Sequence, residues 1–440
     1  MKLATALSKS ILWRGFYFLS VMLLNILVAR HFQSDGSGQI YYIINLLAFT
    51  LIIISLCLEA PMGYYLSQQK LNETQLAVVS IGWTILIMLP GWFIIRSMEI
   101  PKEGILQVAG FHFSATAFLA GNLLITFFVA LFYAKMDFVL PNLLLVAVNL
   151  LLIILVPNNE WVRGFMSDEN YVQLYFLGFF IQGFLLMIAF LFRYFNLKDM
   201  KRIPAELIKP FMSFAFIAVV TNSMTFLMYR VDYWFVNKFV ANDSDLGNYI
   251  QACKLAQLFF IVPSILAAVV FPMTASGRRE EMNEKMQLLS RGLILFYCIA
   301  CSGLIAVGYW LFPFVFGETF DNMYLPFVLL VPAILSYSVI HLLAAYYSGK
   351  KVLSVNFKGN LIALSIIVVG DMLVIPRFGI NGAAVVSSVG YICYMSFILL
   401  MHRKEYKSSF ADFLFFRKKD GQLFYKLLME KISSRKTDAS

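Results

Sequence analysis

The chain has 440 residues, of which 60% are hydrophobic and only 14% are charged. Soluble domains carry about 25% charged residues, so a soluble fold of this length is excluded. Five cysteines are too few for a disulfide-built secreted scaffold, and the hydrophobicity excludes disorder. What remains is a polytopic membrane protein, in which the meaning of the +10 net charge depends on where the charges lie.

Apolar runs long enough to cross a bilayer occur twelve times, and their continuous character favours helices over barrel strands. We expect spans near residues 10–30, 39–60, 76–95, 105–133, 138–156, 170–192, 210–237, 246–271, 288–312, 324–348, 352–375 and 380–401. The longest connections, near 193–209 and 272–287, are too short for a folded soluble domain. The first run lacks an A-x-A cleavage site and is predicted to be a span rather than a signal peptide.

The distribution of lysine and arginine predicts the orientation of these spans. With the N-terminus inside, 25 of the 35 basic residues fall in cytoplasmic segments, six fall outside and four lie within spans. Short cytoplasmic loops of membrane proteins carry such an excess of basic residues. We therefore expect a multi-pass membrane protein with twelve spans and both termini in the cytoplasm.

The two halves of the chain resemble each other. Residues 133–142 align with 347–356 at an offset of 214, and Gly38 aligns with Gly247 at an offset of 209. Six spans per half give both halves the same orientation, related by an axis along the membrane normal. We expect two six-helix lobes, residues 1–200 and 201–401.

A basic tail, residues 402–440, follows the last predicted span. It holds ten basic and five acidic residues, and its apolar residues recur at helical spacing. This pattern predicts an amphipathic helix on the anionic lipids of the inner leaflet.

Signatures of enzymes are missing from the sequence. No G-x-x-x-x-G-K-[ST] motif is present, so we do not expect ATP hydrolysis. The four histidines show no metal-ligand spacing, and the five cysteines lie within spans, where packing is their expected role. We expect a transporter without a cofactor, a metal or a nucleic-acid partner.

Basic residues within spans are the candidate substrate contacts, because a charge in a bilayer is costly and usually lines a pathway. At 1.5 Å per residue, Arg230 and Lys254 lie roughly 15 and 12 Å from the outer surface. Snorkelling is poor at such depths. Arg14 and Lys358 lie nearer the inner headgroups, where snorkelling is an alternative to a pathway role.

Three acidic residues within spans, Glu59, Asp232 and Asp371, are candidates for ion coupling or charge balance. Asp232 lies two residues from Arg230, so their side chains point to different helix faces. A structural ion pair between Asp232 and Lys254 is an alternative. Glu59 lies near the inner end of its span, where an interfacial role is the alternative.

Short motifs resemble those of polysaccharide flippases. Residues 376–384 read P-R-F-G-I-N-G-A-A, similar to the P-x-x-G-x-x-G-A-A turn between the last two spans of that family. Further similar pieces are V-A-R-H-F at 28–32, G-S-G at 36–38, R-V-D at 230–232, L-G-N-Y at 246–249 and V-F-P at 270–272. The chain resembles Wzx-type O-antigen or capsule-repeat flippases of the multidrug/oligosaccharidyl-lipid/polysaccharide exporter superfamily.

The resemblance implies an all-α, V-shaped bundle of two lobes related by pseudo-twofold symmetry around a cationic cavity. It implies that an undecaprenyl-diphosphate-linked oligosaccharide is flipped from the cytoplasmic to the outer leaflet by alternating access. The product would feed O-antigen, lipopolysaccharide, capsule or exopolysaccharide assembly, with a polysaccharide polymerase as a possible partner. In this family basic residues of spans 1, 2, 7 and 8 meet the diphosphate. Arg14, Arg230 and Lys254 occupy three of those spans, whereas span 2 offers only Asn45.

Other functions remain open at this point. A drug/cation antiporter of the same superfamily should carry a buried carboxylate in its N-terminal lobe, and only Glu59 fits. A lipid II flippase usually has fourteen spans. A membrane-embedded polysaccharide polymerase or ligase needs catalytic residues in outer loops, which are short here. A non-transporting scaffold would not explain Arg230 in the middle of the membrane.

Overall fold

The computed structural model describes residues 3–98, 104–240, 242–275, 279–417 and 420. These residues form helices and no strand, as the continuous apolar runs predicted. The α-helices are α1 (Leu3–Ser55), α2 (Glu59–Ser67), α3 (Glu73–Ser97), α4 (Phe111–Ala134), α5 (Val139–Ile154), α6 (Glu160–Arg163), α7 (Asp168–Tyr194), α8 (Ala205–Phe239), α9 (Asp243–Leu258), α10 (Ile261–Ala275), α11 (Arg279–Phe316), α12 (Tyr324–Gly349), α13 (Leu353–Tyr406) and α14 (Ala411–Leu414). Two 3₁₀ segments lie at Leu197–Asp199 and Glu318–Met323.

The helices account for the predicted spans. Within the described residues, eight helices are long and apolar enough to cross a membrane, and the bent pair α9 and α10 makes a ninth. The backbone leaves helical geometry inside α1 at Gln33 and inside α13 at Gly379, so each of these helices contains two rods. With the shorter apolar helix α5, the described part of the chain has twelve apolar rods, which is the predicted number.

One connection differs from its prediction. The segment near 272–287 was expected to be a long loop, but α10 continues to Ala275 and α11 begins at Arg279. The residues after Arg279 are mainly Glu, Met, Lys, Gln and Leu, which favour helices. The helix therefore extends beyond the apolar run that we predicted to begin at residue 288.

A break inside span 2 was not predicted. Leu56 and Cys57, between α1 and α2, both have positive φ, at 49° and 47°. Side chains bond the backbone around this break: Ser55 Oγ accepts from the Cys57 amide at 3.0 Å, and Trp83 Nε1 donates to the Ile54 carbonyl at 2.9 Å. Two successive non-glycine residues in the left-handed region are costly, so the surrounding packing must impose this break.

The two aligned segments have a turn and an asparagine in common. Helices α4 and α12 both end in a turn with a residue of positive φ, which is Met136 (60°) in one and Lys351 (63°), one position beyond the residue aligned with Met136, in the other. In each segment a buried or half-buried asparagine follows and donates its amide to a backbone carbonyl: Asn142 to Phe138 at 2.6 Å, and Asn356 to Ala344 at 2.9 Å.

The chain divides into two compact units. Unit 1 comprises Met1–Tyr233, Ala241–Ile250 and Phe312–Asp321, and unit 2 comprises Trp234–Val240, Gln251–Leu311 and Asn322–Ser440. In unit 1, α4 packs against α7 through Gly121 and Gly183, where a Cβ would overlap the facing backbone. In unit 2 the main packing partners are α10, α12 and α13. The lobe boundary near residue 200 stays a prediction.

The described part of the predicted tail packs on unit 2. Phe413 is buried against the ring of His402, and Ser290 Oγ of α11 donates to the Phe413 carbonyl at 3.0 Å. Arg291 holds Asp420 through two hydrogen bonds, each 2.7 Å long. Residues 421–440, with the second half of the predicted amphipathic pattern, lie outside the described residues, and lipid contact by the tail stays a prediction.

Candidate functional site

The two deepest predicted cations lie on different helices. Arg230 is half-buried on α8, and its guanidinium carbon lies 5.7 Å from the ring centroid of Tyr233. Lys254 is half-buried on α9, eleven residues after Asp243, at which the helix begins. Arg230 belongs to unit 1 and Lys254 to unit 2.

Asp232 is a buried carboxylate with two well-placed donors. It is 4% exposed, its Oδ2 accepts from the Tyr249 hydroxyl at 2.5 Å, and its Oδ1 accepts from the Tyr233 amide at 2.9 Å. Tyr233 and Tyr249 also pack edge to face. Hydrogen bonds to a buried carboxylate are among the stronger ones in proteins. The two tyrosines therefore hold the Asp232 carboxylate in place. Arg230 precedes Asp232 by two residues in the sequence.

The two shallower cations differ in their surroundings. The Arg14 guanidinium lies 4.2 Å from the ring centroid of Tyr133 and 5.9 Å from that of Phe138. These contacts with α4 and with the turn after it contribute about 0.5–1 kcal/mol each at an exposed site. Lys358 is exposed on α13.

The other two predicted acidic residues lie at a break and at a buried position of a helix. Glu59 is the first residue of α2, directly after the break at Leu56 and Cys57. Its Oε2 is buried and has no hydrogen-bond partner among the described residues. Asp371 is fully buried on α13. Glu59 belongs to unit 1 and Asp371 to unit 2, and the functional roles of both stay predictions.

Asn45 is a polar residue to which the sequence assigned no role. It is 1% exposed, and neither atom of its amide has a hydrogen-bond partner among the described residues. A buried amide without partners costs about 1–3 kcal/mol, so a water or a ligand is expected beside it. Its place in span 2, where the resembled family carries a basic residue, was the only signal that pointed to it.

A cluster of polar side chains lies where the two rods of α1 meet. We call Gln33, Ser34, Ser244, Asn248 and Thr319, all in unit 1, the junction cluster. Thr319 Oγ1 accepts from the Ser34 amide at 2.9 Å and donates to Gln33 Oε1 at 3.0 Å. The Ser34 and Ser244 hydroxyls lie 2.5 Å apart, and Asn248 Nδ2 donates to the Thr319 carbonyl at 2.9 Å.

The two glycines that the duplication aligns meet inside this cluster. A Cβ on Gly38 would lie 2.8 Å from the Gly247 nitrogen and 2.9 Å from its Cα. A Cβ on Gly247 would overlap the backbone carbonyl of Ser34. Only glycine permits backbones to approach this closely. The cluster therefore ties the start of span 2 to the start of span 8, a contact that the sequence alignment of the glycines did not itself predict.

Comparison with known proteins gives matches to one family and to several solved transporter structures. Residues 176–325 match the sequence model of a family described as polysaccharide biosynthesis protein. Among curated proteins no match to the sequence is found. The fold is similar to an inward closed conformation of the lipid II flippase MurJ, with a TM-score of 0.67, 15% identity and coverage of 92% of this chain and 89% of that one.

Two other solved structures have a similar fold. One is an inward-facing multidrug resistance MATE family transporter of the MOP superfamily, with a TM-score of 0.65, 12% identity and coverage of 88% of this chain and 94% of that one. The other is a MOP superfamily transporter from Pyrococcus furiosus, with a TM-score of 0.59, 13% identity and coverage of 91% and 95%.

These matches confirm the predicted resemblance and the predicted fold class. Identities of 12–15% establish the fold and leave the substrate open. The chain is a multi-pass membrane protein whose described residues are helical and share the fold of the MurJ and MATE structures, and residues 176–325 match a polysaccharide biosynthesis family.

Proposed function

We propose that this protein flips undecaprenyl-diphosphate-linked oligosaccharide repeat units from the cytoplasmic to the outer leaflet of a bacterial inner membrane. The repeat units would serve O-antigen, capsule or exopolysaccharide assembly. The observation that carries the proposal is that the segment matching a polysaccharide biosynthesis family, residues 176–325, contains both Arg230 and Lys254. Alternating access of the MOP exporter fold would move the headgroup past the hydrocarbon.

The chemistry of the substrate fits these cations. A lipid diphosphate cannot leave water for hydrocarbon unless other groups replace its hydration. Arginine and lysine do so through charge-assisted hydrogen bonds, and arginine can bind two phosphate oxygens at once. The lipid tail can remain in the bilayer while the head passes, so the protein needs to shelter only the diphosphate and the sugars.

The proposal is tested by replacing the two cations singly with alanine and measuring surface polysaccharide at equal protein level in membranes. Arg230→Ala and Lys254→Ala should each reduce display at least tenfold. Lys238→Ala is the matched control, because Lys238 lies at the exposed end of the same helix as Arg230. Display that stays unchanged in both variants would refute a role of these cations in transport.

The orientation and the partners belong to the same proposal. Both termini are expected in the cytoplasm, and a polysaccharide polymerase is the expected consumer of the flipped unit. A reporter enzyme that is active only outside the cytoplasm should be inactive when fused after Ser440 and active when inserted after Phe165, in the predicted outer loop. The reverse pattern would refute the orientation.

Transport of small organic cations is the second candidate, because a MATE transporter shares the fold with a TM-score of 0.65. Glu59 at the break in span 2 would then be the coupling carboxylate. Glu59→Gln should abolish drug resistance conferred by the protein if this candidate is correct. Under the flippase proposal, expression confers no such resistance.

A further inference from the structure

The span formed by α9 and α10 is interrupted by a break that a side chain of a neighbouring helix stabilises. Helix α9 ends at Leu258, α10 begins at Ile261, and the two are bent by 40°. The Tyr297 hydroxyl of α11 donates to the Phe259 carbonyl, which the break releases from the helix ladder. Non-helical backbone at membrane depth is tolerated where protein or a polar cavity satisfies it, and such breaks often form substrate sites.

A group of aromatic rings lies at this break. The ring centroid of Tyr337 lies 4.2 Å from that of Phe260, 4.5 Å from that of His341 and 5.6 Å from that of Tyr391. Tyr337 and Tyr391 are each only 6% exposed and form the buried base of the group. Phe260 and His341 are half-buried and form its accessible edge. All four residues belong to unit 2.

His341 is the polar member of this aromatic group. Its imidazole packs edge to face on Tyr337 at an angle of 89° and is half-buried. A neutral imidazole has one donor and one acceptor. A ligand with hydroxyl or amide groups can bond both nitrogens at this position.

The sequence of α9 leads from a cation to this group. Lys254 and Gln257 lie three residues apart near one face of α9, and Phe260 follows in the break, two residues after the helix ends. A cation, an amide and an aromatic ring thus succeed one another along this span.

We propose that the break in span 8 is a sugar-recognition subsite, in which Phe260 and His341 contact the sugar attached to the diphosphate. The apolar face of the sugar would pack on Phe260, and a sugar hydroxyl or acetamido group would bond His341. This inference rests on the proposed function, in which Lys254 meets the diphosphate. It adds that recognition depends on the first sugar as well as on the lipid and the phosphates.

The experiment compares two lipids on the purified full-length protein. The probes are undecaprenyl diphosphate carrying one N-acetylglucosamine and sugar-free undecaprenyl diphosphate, titrated in detergent to obtain the Kd of each. Phe260→Leu removes the ring and keeps an apolar side chain, whereas His341→Phe keeps a ring and removes both nitrogens. Phe192→Leu is the matched control, because Phe192 is 90% exposed on α7.

We expect Phe260→Leu to weaken binding of the sugar-bearing lipid about three- to tenfold, the effect of losing one aromatic contact. His341→Phe should shift the same Kd in the same direction. Both variants should leave the Kd of the sugar-free lipid within about twofold, as should the control for both lipids. His341→Phe alone decides the question if Phe260→Leu does not fold.

Two results would overturn the inference in different ways. Equal losses for both lipids, or no change for either, would show that these side chains do not recognise the sugar, while the proposed function stands. Wild-type protein that binds neither lipid would refute the proposed function itself, and the subsite with it.

Discussion

Replacing Gly247 with alanine tests whether the junction cluster has to close during transport. A Cβ at this position would overlap the Ser34 carbonyl oxygen and lie 2.7 Å from the carbonyl carbon. Both contacted atoms belong to backbone, which cannot rotate away as a flexible side chain would. The start of α9 and the break of α1 must therefore separate for the alanine to fit.

The size of the effect follows from the overlap. Inserting one methyl group into a tightly packed site typically costs about 1–3 kcal/mol. At about 2 kcal/mol, the ratio of closed to open clusters falls about thirtyfold, since 1.4 kcal/mol corresponds to a factor of ten. Gly38→Ala should have a smaller effect, because its nearest contact, 2.8 Å from the Gly247 nitrogen, requires a smaller shift.

Labelling of a buried cysteine measures this opening. Ser37, beside the cluster, is 0% exposed. Ser37→Cys, in a background without the native cysteines, should react slowly with a membrane-impermeant maleimide on intact cells. Adding Gly247→Ala should increase the labelling rate severalfold and reduce transport in parallel.

The control substitution is Gly303→Ala, because a Cβ at Gly303 would meet nothing within 4 Å. It should leave both the labelling rate and transport at the wild-type level. If Gly247→Ala labels no faster than Gly303→Ala, the cluster is not a closing contact and the reasoning is refuted.

Two further predictions concern stability. The pKa of Asp420 is raised by burial but lowered more by its hydrogen bonds with Arg291 and with the Arg417 amide, so it lies below its usual range. The ion pair therefore stabilises the fold in full above about pH 5, and this stabilisation is lost as the pH falls below about 4. The difference in Tm between wild type and Asp420→Asn should accordingly shrink below about pH 4. A difference in Tm that does not depend on pH would contradict this. Lys351→Gly, at an exposed residue with a φ of 63°, should raise stability by about 0.5–1 kcal/mol in a thermal melt, whereas Gln68→Gly, with a φ of −86°, should lower it.

Hydropathy predicted the helices well because the bilayer imposes one requirement on every span, an apolar stretch of sufficient length. The junctions at Gln33 and Gly379 lie between predicted spans, where polar or turn-forming residues had separated the apolar runs. The breaks at Leu56–Cys57 and at Phe259–Phe260 were not predicted at these positions. A proline follows each of them, Pro61 and Pro263, and lacks the N–H that would bond the carbonyl four residues before it. The donors that bond carbonyls at the breaks, Trp83 and Tyr297, are distant in sequence.

The sequence predicted the charged residues of the candidate site but not its neutral residues. Arg230 and Asp232 stand out in a sequence because a charge within an apolar run is rare. Tyr249, which holds Asp232, is one of 22 tyrosines and has no pattern of its own. The contacts of Tyr337 with Phe260, 77 positions away, and with Tyr391, 54 positions away, likewise form only through packing. Long-range contacts of this kind require the fold before they can be seen.

The meeting of Gly38 with Gly247 has a consequence for how such a chain could have arisen. In a homodimer of six-helix chains, a residue on the twofold axis contacts its own copy, so any substitution there changes both sides of the contact together. A larger side chain at that position would appear in both subunits and would clash with its own copy, so glycine would be hard to replace. After fusion of two copies into one chain, each position can change alone, and one of the pair can acquire a side chain if the other stays small. This chain retains glycine at both positions.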